Sequence, residues 1–273
     1  MTPATLVAVP NVSEGRDAGV LDAIAAGFGP LLHRSADPDH NRAVFTLAGA
    51  PGALHASVLA GAREAIARID LTRHDGVHPR VGALDVAPIV YLRAEDRGAA
   101  CAAALVLADE LGELGVPVYL YGELAGGRTR AELRRGGPHG LAERGTPPDF
   151  GPRELHPTAG ATLVAARPPL VAFNVEVAAT LEQARAIAAE LRSTLPGVRA
   201  LGLELASSGV VQVSTNIEDH TRTTAADVVA AVRRHAPVTG AELVAPAPRT
   251  ALADFPADVP LRGPPPLEDQ LPS

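Results

Sequence analysis

The sequence predicts an α+β protein of two ferredoxin-like (βαββαβ) subdomains, with mixed or antiparallel sheets and helices on their outer faces. Three observations carry this expectation. By apolar periodicity the first half of the chain reads as strand, helix, strand, strand, helix, strand. The second half repeats that order without obvious sequence identity. Between them, residues 134–158 are rich in Gly, Pro, Arg and His, the composition of an irregular crossover.

Taken in order, residues 6–10 are apolar and read as a buried strand, and 17–28 carry apolar residues at helical spacing. A short strand at 31–32 is followed by a polar loop at 35–40. Residues 43–47 form a strand, 53–69 a long amphipathic helix and 86–92 another apolar strand. A helix at 96–114 and a strand at 117–121 extend the unit. In the second half, 170–177 read as a strand and 181–195 as a helix. Residues 198–205 and 210–216 pair around Ser207-Ser208-Gly209, then 224–234 form a helix and 241–244 the last strand. The expected organisation is one subdomain over 1–168, a second over 169–250, and a Pro-rich tail over 251–273. From Pro256 the tail reads as extended or disordered, with Pro264-Pro265-Pro266 inside it.

Composition excludes several function classes. The chain has 273 residues, 47% of them hydrophobic and 20% charged, which is globular rather than disordered. Aromatics are 3%, Trp is absent and the net charge is −7, so a base-stacking or phosphate-tracking surface is not expected. Nucleic-acid and membrane partners are therefore not expected. No run nears the roughly 18 apolar residues of a membrane helix, and Met1-Thr2-Pro3-Ala4 does not open a signal peptide, so a cytoplasmic location is expected. All 24 basic residues are Arg; without Lys there is no Gly-Lys-Ser/Thr phosphate loop and no lysine Schiff base. The single Cys101 reads as a small helix residue.

The polar residues that could carry chemistry cluster at 37–42 and 73–85. They include Asp37, Asp39, His40, Asn41, Arg42, His74, Asp75, His78, Arg80 and Asp85. A histidine changes charge near neutral pH, and a nearby carboxylate orients it. Gly76, Pro79 and Gly82 indicate a tightly turned backbone able to fix His78. Ordinary loop residues remain an equal reading for each histidine. The four-residue spacing of His74 and His78, with Asp75 or Asp85, also suits a metal, but Gly76 and Pro79 oppose a continuous helix there, so no metal is expected. Downstream, Asp149-Phe150-Gly151-Pro152 leads to Thr158-Ala159-Gly160-Ala161-Thr162, whose small residues suit either close approach of a flat ligand or a turning crossover.

Several segments resemble the formiminotransferase family: Val9-Pro10-Asn11-Val12-Ser13-Glu14-Gly15-Arg16, Asp39-His40-Asn41-Arg42, His74-Asp75-Gly76-Val77-His78-Pro79-Arg80-Val81-Gly82-Ala83-Leu84-Asp85-Val86 and Val116-Pro117-Val118-Tyr119-Leu120-Tyr121-Gly122-Glu123. Asp149-Phe150-Gly151-Pro152, Val171-Ala172-Phe173-Asn174 and Gln212-Val213-Ser214-Thr215-Asn216 continue the likeness in the same order. The resemblance implies glutamate formiminotransferase activity, passing the formimino group of N-formimino-L-glutamate to N5 of the co-substrate tetrahydrofolate, in histidine degradation and one-carbon metabolism. It also implies a homodimer. The catalytic histidine it implies is His78. The folate-binding segment it implies is Gly151, Pro152, Arg153, Glu154, Leu155, His156, Pro157, Thr158, Ala159 and Gly160.

One proton must leave N5 and another must reach the departing glutamate nitrogen, and a histidine near pKa 6.5 serves both roles. Asp37, Asp39 or Asp85 is the expected orienting carboxylate, and Arg42, Arg80 or Arg153 the expected partner of the glutamate carboxylates. Two positions depart from the family's pattern: Ala159 where an aromatic is frequent, and Val77 where Glu is common. A cyclodeaminase domain is not expected. Alternatives that keep the fold are a different donor, such as 5-formyltetrahydrofolate or another N-acyl amino acid, or a non-catalytic folate-binding module.

Overall fold

Strand β1 (Leu6–Ala8) and strand β2 (Asn11–Val12) are two halves of one strand, because Pro10 lacks the N–H that would continue the ladder. The computed structural model describes residues 5–76 and 79–271, and the chain divides into two compact units, Met1–Pro168 and Pro169–Ser273.

In the first unit, the β1/β2 strand is followed by α1 (Ala18–Phe28), β3 (His33–Asp37), β4 (Arg42–Gly49), α2 (Pro51–Arg68) and β5 (Leu84–Tyr91). Asp17 caps α1 by accepting a hydrogen bond from the Val20 N–H, and Pro51 opens α2 where a missing N–H costs nothing. Helix α3 (Arg97–Glu113), β6 (Val118–Leu120), α4 (Arg130–Arg134), α5 (Gly137–Glu143) and β7 (Thr162–Arg167) complete the unit. The sheet order is β3-β4-β1/β2-β5-β7-β6. Its first four positions are antiparallel and form the split βαββαβ unit, and β7 and β6 extend it in parallel.

Alternate strand residues (Leu6, Ala8, Phe45, Leu47, Ile89, Val164) meet α1, α2 and α3 in the main core. The helices approach closely because their facing residues are mostly small: Ala62 and Ala65 on α2, Ala100, Ala104 and Ala108 on α3. Phe28 and Phe45 supply the bulk, with ring centroids 5.0 Å apart. The opposite face of the sheet has a smaller core, in which Val86, Tyr119, Tyr121, Leu163 and Ala165 meet Leu133 of α4 and Leu141 of α5.

The second unit contains β8 (Val171–Val177), α6 (Leu181–Thr194), β9 (Val198–Glu204), β10 (Val211–Ile217), α7 (Ala225–Arg233) and β11 (Val238–Leu243). Thr180 with Gln183, and Thr224 with Asp227, form reciprocal capping boxes at the starts of the two helices. The antiparallel sheet runs β11-β8-β10-β9, again the ferredoxin-like order, with a two-residue strand β12 (Leu261–Arg262) parallel to the outside of β11.

Four local expectations change. The short strand expected at 31–32 lies instead at His33–Asp37, overlapping the expected polar loop. It is an edge strand of alternating half-buried and exposed residues, all polar but Ala36, so its pairing with β4 outweighs its composition. Strand β7 was not expected at all. The stretch read as irregular holds α5 and the end of α4, pinned by Leu133 (4% exposed) and Leu141 (0%). The tail is extended but not disordered: Val259 and Leu267 are buried in the second unit, and Arg262 pairs with Glu176.

Candidate functional site

The site is built where β2, the turn after β3 and the loop before β5 converge in the first unit. In that turn the Asp37 carboxylate accepts hydrogen bonds from the Asp39 and His40 backbone N–H groups, both at 2.9 Å. Its other oxygen lies 2.5 Å from His40 Nδ1. Burial alone would raise the Asp37 pKa, but the hydrogen bonds and charge of His40 and the Asp39 amide hold it below the usual carboxylate value. Asn41 follows in the left-handed region (φ 46°), which a short amide side chain tolerates. Its side chain ties three segments together. Oδ1 accepts from the Gly15 N–H at 2.9 Å, and Nδ2 donates to the Asp75 carbonyl at 2.8 Å.

Val77 and His78 lie outside the described residues. The loop is fixed on both sides of them. His74 Nε2 donates to the Asn41 carbonyl (3.1 Å), Arg16 pairs with Asp75 (2.5 Å), and Arg80 donates to the Gly76 carbonyl (2.5 Å). Beyond it, the buried Asp85 accepts the Val81 N–H at 2.7 Å and pairs with Arg134. The Ser13 hydroxyl donates to the Gly82 carbonyl at 2.7 Å.

The second expected segment meets this loop at its downstream end. The Leu71 N–H donates to Thr158, the Ala83 N–H to Ala159 and the Ala161 N–H to Val81, at 2.8 to 2.9 Å. His156 and Gly160 exchange backbone hydrogen bonds, and His156 Nδ1 accepts from the Ala159 N–H at 3.0 Å, which puts the ring proton on Nε2. Ala159 is 2% exposed and its methyl packs in the main core, so it offers no face to a ring. Arg153, Glu154 and Leu155 line a cavity of about 290 Å³ with Tyr119, Leu141 and Thr146 among others. Gly151 packs against Gly112 and Val116, Pro152 follows it outside regular structure, and Pro157 begins the turn that leads to Gly160. Thus 158–160 join the loop by backbone hydrogen bonds, whereas Arg153, Glu154 and Leu155 line the cavity and Leu155 packs on the small core that includes Val81.

Three residues that sequence reasoning did not single out also converge here. Arg134 pairs with Asp85, and Arg130 stacks over the Tyr121 ring at 5.7 Å. Burial first, then repulsion from Arg134, pushes the Arg42 pKa down to about 10, against the pull of Asp37 and Asp85, with Arg130 adding to the repulsion. The signal was the Arg130-Ala131-Glu132-Leu133-Arg134 spacing, which puts two guanidiniums one helical turn apart. Among the described residues no group of three His, Cys, Asp or Glu is arranged to hold a metal ion.

His74 makes stability pH-dependent. Burial, then the Arg80 charge, lowers its pKa below 6.5, so the folded state favours the neutral ring. As pH falls below about 6.5 the unfolded chain takes up a proton that the folded chain refuses, and stability falls until the lowered folded value is reached. The urea midpoint should drop between pH 7 and pH 5, and less steeply in His74→Gln. Equal slopes for parent and variant would refute this.

The chain matches the model "Formiminotransferase domain, N-terminal subdomain" over residues 5–167 and the model "Formiminotransferase domain" over 172–257. It is 35% identical over 268 residues to the glutamate formimidoyltransferase of Streptococcus pyogenes, covering 90% of each chain. It is 33% identical to that of Thermoplasma acidophilum, covering 90% of this chain and 89% of the relative. The formimidoyltransferase-cyclodeaminase of Sus scrofa is 38% identical over 273 residues, but there the chain spans 50% of the relative's length.

Proposed function

The chain belongs to the formiminotransferase family, and from that membership we propose that it transfers the formimino group of N-formimino-L-glutamate to N5 of tetrahydrofolate. The observation that carries this reading is the match to glutamate formimidoyltransferases along almost the whole of both chains. In this reading His78 removes the N5 proton and returns one to the departing glutamate nitrogen. The positions of Gly76 and Arg80 support the role, because they hold the loop on either side of it.

Tetrahydrofolate is the co-substrate in this proposal, held by residues 151–160. The cavity beside Arg153, Glu154 and Leu155 supports this reading for the first part of the segment. Ring stacking at Ala159 is not part of the fit, since that side chain is in the core. The functional subdomains are taken as 1–168 and 169–250. No helix among the described residues is long and apolar enough to cross a membrane. A cytoplasmic homodimer is the proposed state, to be checked by light scattering of the purified chain.

The reaction is tested by incubating the purified chain with formiminoglutamate and tetrahydrofolate and following glutamate release. Release that requires both substrates is expected. Turnover only when another N-acyl amino acid replaces formiminoglutamate, or only when 5-formyltetrahydrofolate passes its formyl group to glutamate, would overturn the assigned donor.

A further inference from the structure

We propose that Tyr121, Arg130, Arg134 and Arg42 form a clasp for the carboxylate of a glutamyl group; this rests on the reaction proposed above. The geometry comes from the small core on the sheet face away from α1–α3. Tyr121 follows β6 and is 5% exposed, yet its hydroxyl has no hydrogen-bond partner among the described residues. A buried hydroxyl left without a partner is unfavourable, so the site calls for an acceptor that arrives from outside. Arg134 presents a buried Nε without a partner among the described residues, while its Nη2 donates to Asp85.

The charges agree. Arg42 lies close enough to Arg134 and Arg130 to be repelled by both, a repulsion that Asp37 and Asp85 partly offset. In a chain of net charge −7, a cluster of guanidiniums with one member, Arg130, over the Tyr121 ring favours an anion with planar, two-oxygen geometry. A carboxylate accepts the hydroxyl and a guanidinium edge at once. A glutamyl carboxylate has two sources here, the formiminoglutamate donor and the glutamyl tail of the folate, and the clasp chemistry is the same for both.

Tyr121→Phe separates these sources, because it removes only the hydroxyl and leaves the ring under Arg130. Calorimetric titration of parent and variant with L-glutamate, with 5-formyltetrahydrofolate and with inorganic phosphate provides the readout, and none of these needs turnover. The expected result is an unliganded variant as stable as the parent or more so, with roughly tenfold or greater loss of affinity for one glutamyl ligand. Loss confined to L-glutamate assigns the clasp to the donor; loss confined to the folate assigns it to the tail. Unchanged affinity for both, no binding of either by the parent, or phosphate binding as tightly as the glutamyl ligands would overturn the proposal. If the affinity loss is seen but formiminoglutamate is not turned over, the reaction fails and the clasp stands.

Discussion

A His78→Ala variant should fold like the parent and lose turnover of formiminoglutamate by about 10²- to 10⁴-fold, the usual contribution of a positioned acid–base group. The fixed neighbours make this a test of chemistry rather than of folding. The segments on either side are held by His74 to Asn41, Arg80 to Gly76 and Val81 to Asp85, and none of those bonds involves the residue replaced. Steady-state kinetics and thermal unfolding on the same preparations check it. KM for the donor should change far less than kcat, because the group acts on a proton in transit and not on the bound ground state. Turnover within a few-fold of the parent would remove His78 from the mechanism. His74→Gln is the natural comparison. It disturbs a hydrogen-bonded support and should cost turnover much less.

The largest effect on stability should come from Gly82→Ala. A Cβ on Gly82 would stand 1.7 Å from the Ala161 carbonyl oxygen and 2.9 Å from that of Leu84, both backbone atoms that cannot swing away. The close approach lets Ser13, Gly82 and Gly160 bring three segments together at the mouth of β5. Forcing them apart breaks buried backbone pairing, and a loss of about 4 kcal/mol or more is expected. Gly52→Ala is the control: it lies in the exposed first turn of α2 with nothing within 4 Å of an added Cβ, and should stabilise by about 0.5–1 kcal/mol. Urea midpoints measure both. Equal midpoints for Gly82→Ala and the parent would show that the backbone shifts to accommodate the methyl.

Both βαββαβ frames were legible in the sequence because their strands and helices have strong and different apolar periods, as in Phe45 and Leu47 against the α2 face of Leu54, Val58 and Ala62. Strand β3 was not, since His33-Arg34-Ser35-Ala36-Asp37 has no apolar face and becomes a strand only by pairing with β4. Nor were α5 and the end of α4, where two leucines anchor a Gly- and Arg-rich stretch. The loops of the site were legible as a polar Gly/Pro cluster, but the partners of Asn41 at Gly15 and Asp75 are set by tertiary proximity, across 26 and 34 residues of sequence. Arg134 escaped notice for the same reason. Its meeting with Asp85 spans 49 residues and exists only because α4 covers the second sheet face.

Strand β12 has a consequence for solubility. It lies along the outside of β11 for only two residues, Ala241 and Glu242 facing Leu261 and Arg262, with Pro260 before it and Gly263-Pro264 after. So short a strand, bounded by a residue without an N–H, offers an incoming chain almost no ladder to extend. It acts as an end stop for the second sheet. A protease nick in the turns at 253–258 that released it would bare the outer hydrogen-bonding edge of β11. The same chain would then present a sticky border to its neighbours, and crowding rather than heat would become the hazard.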